Sequence, residues 1–312
     1  MWFKQVQLFQ LTDSLRLPVE QLIEKLEPLA FTSCLPSMPS SMGWVSPVDE
    51  DGASLVRMVN GCMMLCLQIE EKILPAAVIR QELMDKIKQI EAVEGRKVYQ
   101  KQKLSLKDEI TMTLLPRAFS KFTRLYAYID TRNQWLVVGS TNEKKTEQFI
   151  SLFKKSVTES VHPFELKKLS PAITYWLKHQ NYPNTFSIEK ACMLQDPNQQ
   201  NRVVRCQQQD LFTHGIQSFI KEGYEVKQLA MCWQDHIRFV LVDNFSLQSI
   251  HFEDQVIAQA NEMEAETRQQ QFDADFLIMT ETLAALLKDL LQLFLKSSEP
   301  MDRTQQTPAI AI

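Results

Sequence analysis

Apolar and polar positions along this chain change period several times, and each change predicts an element. "WFKQVQLF" near the amino end reads as a strand. Pro18 then opens "VEQLIEKLEPLAF", where apolar residues return at helical spacing. A loop rich in Ser and Pro leads to "GCMMLCLQI", an apolar run of strand length. "RLYAYID" and "WLVVGS" flank the turn-forming "TRNQ", and "EKKTEQFISLFKKSV" resumes the helical period. Hairpins alternating with helices predict an α+β fold of antiparallel sheets with packed helices.

Between the second strand and that hairpin the pattern changes character. "AAVIRQELMDKIKQIEAVEGRKVYQKQKLSLKDEITMTLL" has no proline after Pro75 and only a narrow apolar stripe, Val78, Leu83, Ile87 and Ile90. It predicts a projecting pair of helices. A second α+β region follows. "FSIEKACML" and "RVVRCQQQD" form a hairpin around "DPNQQN", and a helix runs from Leu211 to Glu222 with Gly223 at its C-cap. The meander "VKQLAMCW", "IRFVLVD" and "LQSIHF" comes next. In "FLIMTETLAALLKDLLQLFL", Leu283, Leu286, Leu287, Leu290, Leu291 and Phe294 recur at helical spacing, with Thr280 as the expected N-cap. Glu281, Lys288 and Asp289 interrupt it, so a core helix is expected here and not a membrane span. The expected organisation is residues 1–75 with 123–165, a basic arm at 76–122, residues 166–296, and a disordered tail at 297–312.

Charge changes the picture. The whole chain carries −4, with 45% hydrophobic residues, which is enough for sizeable cores. From Lys86 to Arg124, however, ten cations face four anions, a local +6. Between Glu253 and Glu281 eight anions face only Arg268. The opening "MWFKQVQLFQLTD" has no uninterrupted apolar core of a secretory signal, so a cytoplasmic protein is expected. Six scattered cysteines without CxxC pairs suit reduced structural thiols, and the five histidines show no ligand spacing.

Two chemistries compete for these residues. Asp273, Asp275 and Glu281 could bind Mg²⁺ and orient a water as in a metal-dependent nuclease, although acidic residues in "FDADF" also suit the start of a helix. No phosphate loop and no G-x-S-x-G is present. The basic stretch offers Lys97, Lys101, Lys103, Lys107, Arg117, Lys121 and Arg124, interleaved with Tyr99, Phe119, Phe122 and Tyr126. Such a pattern suits phosphate contacts beside stacking or interface surfaces, and a solvated helical face is the plain alternative.

Several segments together resemble the RdgC family of recombination-associated proteins. They are "MWFKQ", "LAFTSC" with "MGWVSP", "EEKILPAAVI", "SLKDEI" with "LLPRAFSKF", "QQDL", "LAMCWQDHIRFVL" and "FDADFLIMTETLAALL", spanning the chain to about Leu295. The resemblance implies a ring-shaped homodimer that encloses double-stranded DNA with little sequence preference and restrains RecA-promoted recombination. It implies a nucleoid-associated protein with no catalysis, no cofactor and no membrane partner. It assigns Phe119 of "LLPRAF" to a dimer gate and Arg205 and Gln209 of "RCQQQDL" to DNA contact, with Gln207 and Gln208 where lysines are expected. A module that acts directly on a recombination protein is the further alternative.

Overall fold

The computed structural model describes residues 1–11, 18–48, 52–157, 160–164, 169–263 and 265–296. The tail expected from Ser297 onward lies outside the described residues. In chain order the elements are β1 (Val6–Leu11), α1 (Val19–Leu26), β2 (Ser40–Val45), β3 (Val56–Val59), β4 (Cys62–Ile73), α2 (Ala76–Glu94), α3 (Gln100–Leu114), β5 (Phe119–Asp130), β6 (Trp135–Val138) and α4 (Glu143–Val157). They continue with β7 (Val161–Pro163), α5 (Leu169–His179), β8 (Phe186–Gln195), β9 (Val203–Gln207), α6 (His214–Lys221), β10 (Glu225–Trp233), β11 (Ile237–Val242), β12 (Ser246–Phe252), α7 (Asp254–Glu262) and α8 (Arg268–Lys296). The fold is α+β with antiparallel strand pairing, as the hydropathy pattern predicts.

Two compact units divide the chain, Leu11–Val161 in one and Met1–Gln10 with His162 onward in the other. In the first, the strands run in the order β2-β4-β5-β6, with β3 also paired to β4. The strand order in the second is β1-β12-β11-β10-β8-β9. Val6 pairs with Leu247 and Gln7 with Ser246, which is why the first ten residues group with the carboxy-terminal half.

The core of the first unit forms where α1 and α4 cover the sheet. Trp44 is 1% exposed, stacks edge-on against Phe149 at 5.2 Å, and donates its indole N–H to the Ser156 hydroxyl at 2.9 Å. Burial of the ring is therefore achieved without an orphaned donor. Gly43 beside it is obligatory for packing. A Cβ there would lie 2.4 Å from the Phe31 Cα, and backbone cannot yield as a side-chain tip does.

In the second unit α8 is the principal core helix. Phe276, Met279, Leu283, Leu286, Leu287, Leu290, Leu291 and Phe294 are all buried. The sequence placed its start too late. Thr280 is 1% exposed inside the helix, and its hydroxyl donates to the Leu277 carbonyl at 3.0 Å, so it is not an N-cap. Thr267 holds that position: the Gln270 N–H donates to its hydroxyl at 3.2 Å, and the Gln270 side-chain oxygen accepts from the Thr267 N–H at 3.1 Å. This reciprocal pair is a capping box, legible as T-x-x-Q, but it precedes a polar first turn that conceals it from a search for apolar onset. The helix predicted from Leu211 likewise begins at His214. Gly223 follows its last turn at φ +98°, a conformation that favours glycine.

Candidate nucleic-acid interface

The basic stretch folds as a helical hairpin followed by a strand. Pro75 precedes α2 and Gly95, at φ +66°, closes it. Pro116 sits in the short 3-10 turn that ends α3. No residue of α2 is buried, and α3 buries only Leu106 and Ile110. The half-buried stripe of α2 runs through Ile79, Leu83, Ile87 and Ile90. Val78, assigned to that stripe from sequence, is 43% exposed. The two helices are joined by a 2.6 Å ion pair between Lys86 and Glu109, and in the loop between them the Val98 N–H donates to the Glu91 carboxylate at 3.0 Å.

Most of the predicted cations are open to solvent. Lys97, Lys101, Lys107, Arg117, Lys121 and Arg124 are exposed and Lys103 is half-exposed. Lys97, Lys101, Lys103, Lys107, Arg117 and Lys121 enter no ion pair among the described residues. They do not form one flat patch. Lys103 and Lys107 share a flank of α3, one turn apart, whereas Lys101 points roughly 200° away from Lys103. Along β5, Lys121 shares a face with Phe119, and Arg124 projects from the other face with Phe122. The Arg124 Nε donates to the Gln68 side chain at 3.3 Å.

Phe119 begins β5 directly opposite Ile73 of β4. It is 84% exposed and Ile73 is 49% exposed, so an apolar pair stands in water at the end of this ribbon. From Phe119 to Leu125 the described pairing of β5 is with β4 alone, because β6 pairs only from Ala127 onward. Phe122 does not enter the core with the strand: it is 57% exposed and meets Phe31 edge-on at 6.4 Å.

Glu70 fastens this ribbon. Its carboxylate accepts from the Ser120 hydroxyl at 2.6 Å and from the Cys34 backbone N–H at 2.7 Å, with the Lys72 ammonium 3.9 Å away. The Ser120 bond, the Cys34 bond and the Lys72 charge hold its pKa below the usual carboxylate range against the opposing effect of burial. Three of the segments that carry the family resemblance, "LAFTSC", "EEKILPAAVI" and "LLPRAFSKF", therefore meet at one carboxylate. Sequence reasoning passed over Glu70 because a lone acid in a charged "EEK" gives no signal. It also passed over Lys144 at the start of α4, which bridges Glu71 at 3.6 Å, the residue opposite Lys121.

Arg205 and Gln209 belong to the second unit. Arg205 lies on β9 opposite Met193, and with Gln207, Gln228, Gln248 and Ser249 it lines a depression of about 180 Å³ on the sheet face. Gln209 follows the strand, exposed, its N–H donating to the Lys190 carbonyl at 3.3 Å. Gln208 precedes it at φ +55°.

The acidic candidates do not converge. α8 begins at Arg268, so Asp273 and Asp275 stand in its second and third turns and not at its start. Two residues apart on a helix, they point roughly 200° from each other. Asp275 accepts from the amino terminus and from the Gln271 amide at 3.1 Å. Among the described residues no group of three His, Cys, Asp or Glu side chains is placed to hold a metal ion. No described helix is long and apolar enough to cross a membrane.

Comparison with known proteins agrees with the motif reading. Residues 1–297 match the family model described as "Putative exonuclease, RdgC". The chain is 36% identical over 294 residues to proteins named "Recombination-associated protein RdgC" from Yersinia pestis (strain Pestoides F) and Yersinia enterocolitica serotype O:8. Each alignment covers 94% of this chain and 97% of the relative. A match of this extent runs through both compact units and every motif quoted above, and on it the chain belongs to the RdgC family of recombination-associated proteins.

Proposed function

We propose that this chain is a non-catalytic, sequence-nonspecific binder of double-stranded DNA that closes around it as a homodimeric ring and restrains RecA-promoted recombination by occupying the duplex. The observation that carries the reading is the set of six cations between Lys97 and Lys121, one in the loop before α3, three on α3, one in the turn that ends it and one on β5, that no carboxylate among the described residues neutralises. Cations left free on a surface attract phosphates and release counterions, which gives affinity without reading bases. Arg205 and Gln209, with the glutamines beside them, would add a less charged surface. Phe119 and Ile73 supply an apolar pair suited to a small symmetric contact, the gate of the ring. RecA need not be touched for such a protein to limit its access, and a DNA-coating protein would be found with the nucleoid.

Purified protein without partners should bind unrelated duplexes of equal length with equal affinity, and light scattering should give a dimer mass with and without DNA. Binding that requires a recombination protein would overturn the reading in favour of a module acting on that protein.

The description of the matched family as an exonuclease favours one competing reading, metal-dependent cleavage through Asp273, Asp275 and Glu281. Incubation with Mg²⁺ or Mn²⁺ should leave linear and circular duplexes uncut. Cleavage that disappears in the Asp273→Asn, Asp275→Asn double variant would establish the nuclease.

A further inference from the structure

Cys192 of β8 and Cys206 of β9 stand directly opposite each other across an antiparallel pair. Residues so opposed have Cα atoms about 4.5–5.5 Å apart, inside the roughly 4.4–6.8 Å that a disulfide spans. Both are free thiols. No other two cysteines are opposed among the described strand pairings. Cys62 and Cys66, by contrast, lie along one strand, about 13 Å apart at its rise per residue. Both side chains are buried, but β9 is the terminal strand in the sheet order and both cysteines line the depression of about 180 Å³ beside Arg205, which gives a small oxidant a route to them.

We propose that Cys192 and Cys206 are an oxidative modification site, which a peroxide converts into an intrachain disulfide clamping the β8–β9 hairpin. The Cys206 thiolate attacks one oxygen of hydrogen peroxide. The O–O bond breaks, Cys206 becomes a sulfenic acid, and the departing hydroxide takes up a proton as water. The Cys192 sulfur then attacks the Cys206 sulfur, and the second oxygen leaves as water with the proton that Cys192 gives up. Two thiols and one peroxide yield one disulfide and two waters, with two electrons passing from sulfur to oxygen. Cys206 lies on the terminal strand and takes the first attack, while burial and the neighbouring Cys206 push the Cys192 thiol up to about 12, which suits it to the second step. Arg205 and Gln207 flank Cys206, so the bond would fix the strand that presents them. That consequence rests on the DNA-binding reading, and the modification itself does not.

The full-length reduced protein is treated with hydrogen peroxide, alkylated under denaturing conditions, digested without reductant and analysed by mass spectrometry. Reactive thiols should fall from six to four, and the Cys192 and Cys206 peptides should be recovered as one linked species that dithiothreitol separates. Cys192→Ser should leave Cys206 as a sulfenic acid trapped by dimedone. Six surviving thiols, a link between other cysteines, or oxidation confined to half-exposed Cys34 would overturn the proposal. Should a serine variant fail to fold, the linkage map of the unmutated protein decides alone. A linked pair with unchanged DNA affinity would support the modification site and remove the Arg205 strand from DNA contact.

Discussion

Helix α8 and the α2–α3 hairpin are both long helical segments, and they differ in what surrounds them. α8 buries a continuous apolar face, while α2 buries nothing and α3 only two residues. Burial at α8 removes large side chains from water and stabilises the fold, so its sequence is constrained by packing. The hairpin is constrained by little besides its own narrow seam, yet it carries cations without carboxylate partners and leads into a strand with an exposed phenylalanine. Large aromatic and basic side chains left in water contribute little to a monomer's stability. The proposed DNA and subunit contacts would put these side chains to use.

The contrast is sharpened most strongly by truncating the buried side. Phe276→Ala in α8 should cost about 3–5 kcal/mol of unfolding free energy, measured by urea titration. A cost below about 1 kcal/mol would mean that α8 is less tightly packed than its burial indicates.

A smaller effect is expected at Glu70, which belongs to the ribbon but is buried. Its carboxyl pKa is lower folded than unfolded, so its contribution is fully present above the unfolded value, about 4.3, and is lost as pH falls through the folded value. Glu70→Gln should therefore lower Tm at pH 7 and flatten the fall in Tm on acidification below about pH 5. An identical acid limb in both proteins would show that Glu70 does not fasten Ser120 to the Cys34 loop.

The smallest stability effect is expected at Phe119. Being 84% exposed, it should change unfolding free energy by no more than about 0.5 kcal/mol when replaced by alanine. Retention on circular duplex DNA should nevertheless weaken, while linear fragments, which can slide out of a closed ring, should be less sensitive. A large loss of stability would move Phe119 from the exposed side of the comparison to the buried side.

The two regions also differed in how far their sequences could be read. The leucine repeat from Leu283 to Phe294 predicted a core helix because a deep apolar face imposes one period. Its start was missed, because the Thr267–Gln270 cap is followed by a glutamine-rich turn with no apolar onset. Strands β4, β5, β10 and β11 were legible as apolar runs between turn residues. Val78 was placed in the stripe of α2 where Ile79 belongs, because a seam this narrow leaves adjacent apolar residues indistinguishable. Local charge density identified the basic stretch, but the flank each lysine occupies depends on helix phase. Glu70 depends on bonds to residues 36 and 50 positions away, which no local pattern encodes. The Cys192–Cys206 opposition follows from hairpin register, which the turn "DPNQQN" leaves open by a residue or two.

If the unpaired cations between Lys97 and Lys121 meet DNA phosphates, as proposed, the salt dependence of affinity must show it. Duplex affinity is measured across a salt series for the unmutated protein and for alanine variants of Lys97, Lys101, Lys103, Lys107, Arg117 and Lys121. The account predicts that log K falls linearly with log salt and that each lost contact flattens the slope by about 0.9. Because Lys101 and Lys103 face opposite sides of α3, the effects should be unequal along the helix. Slopes unchanged in all six variants would contradict the claim.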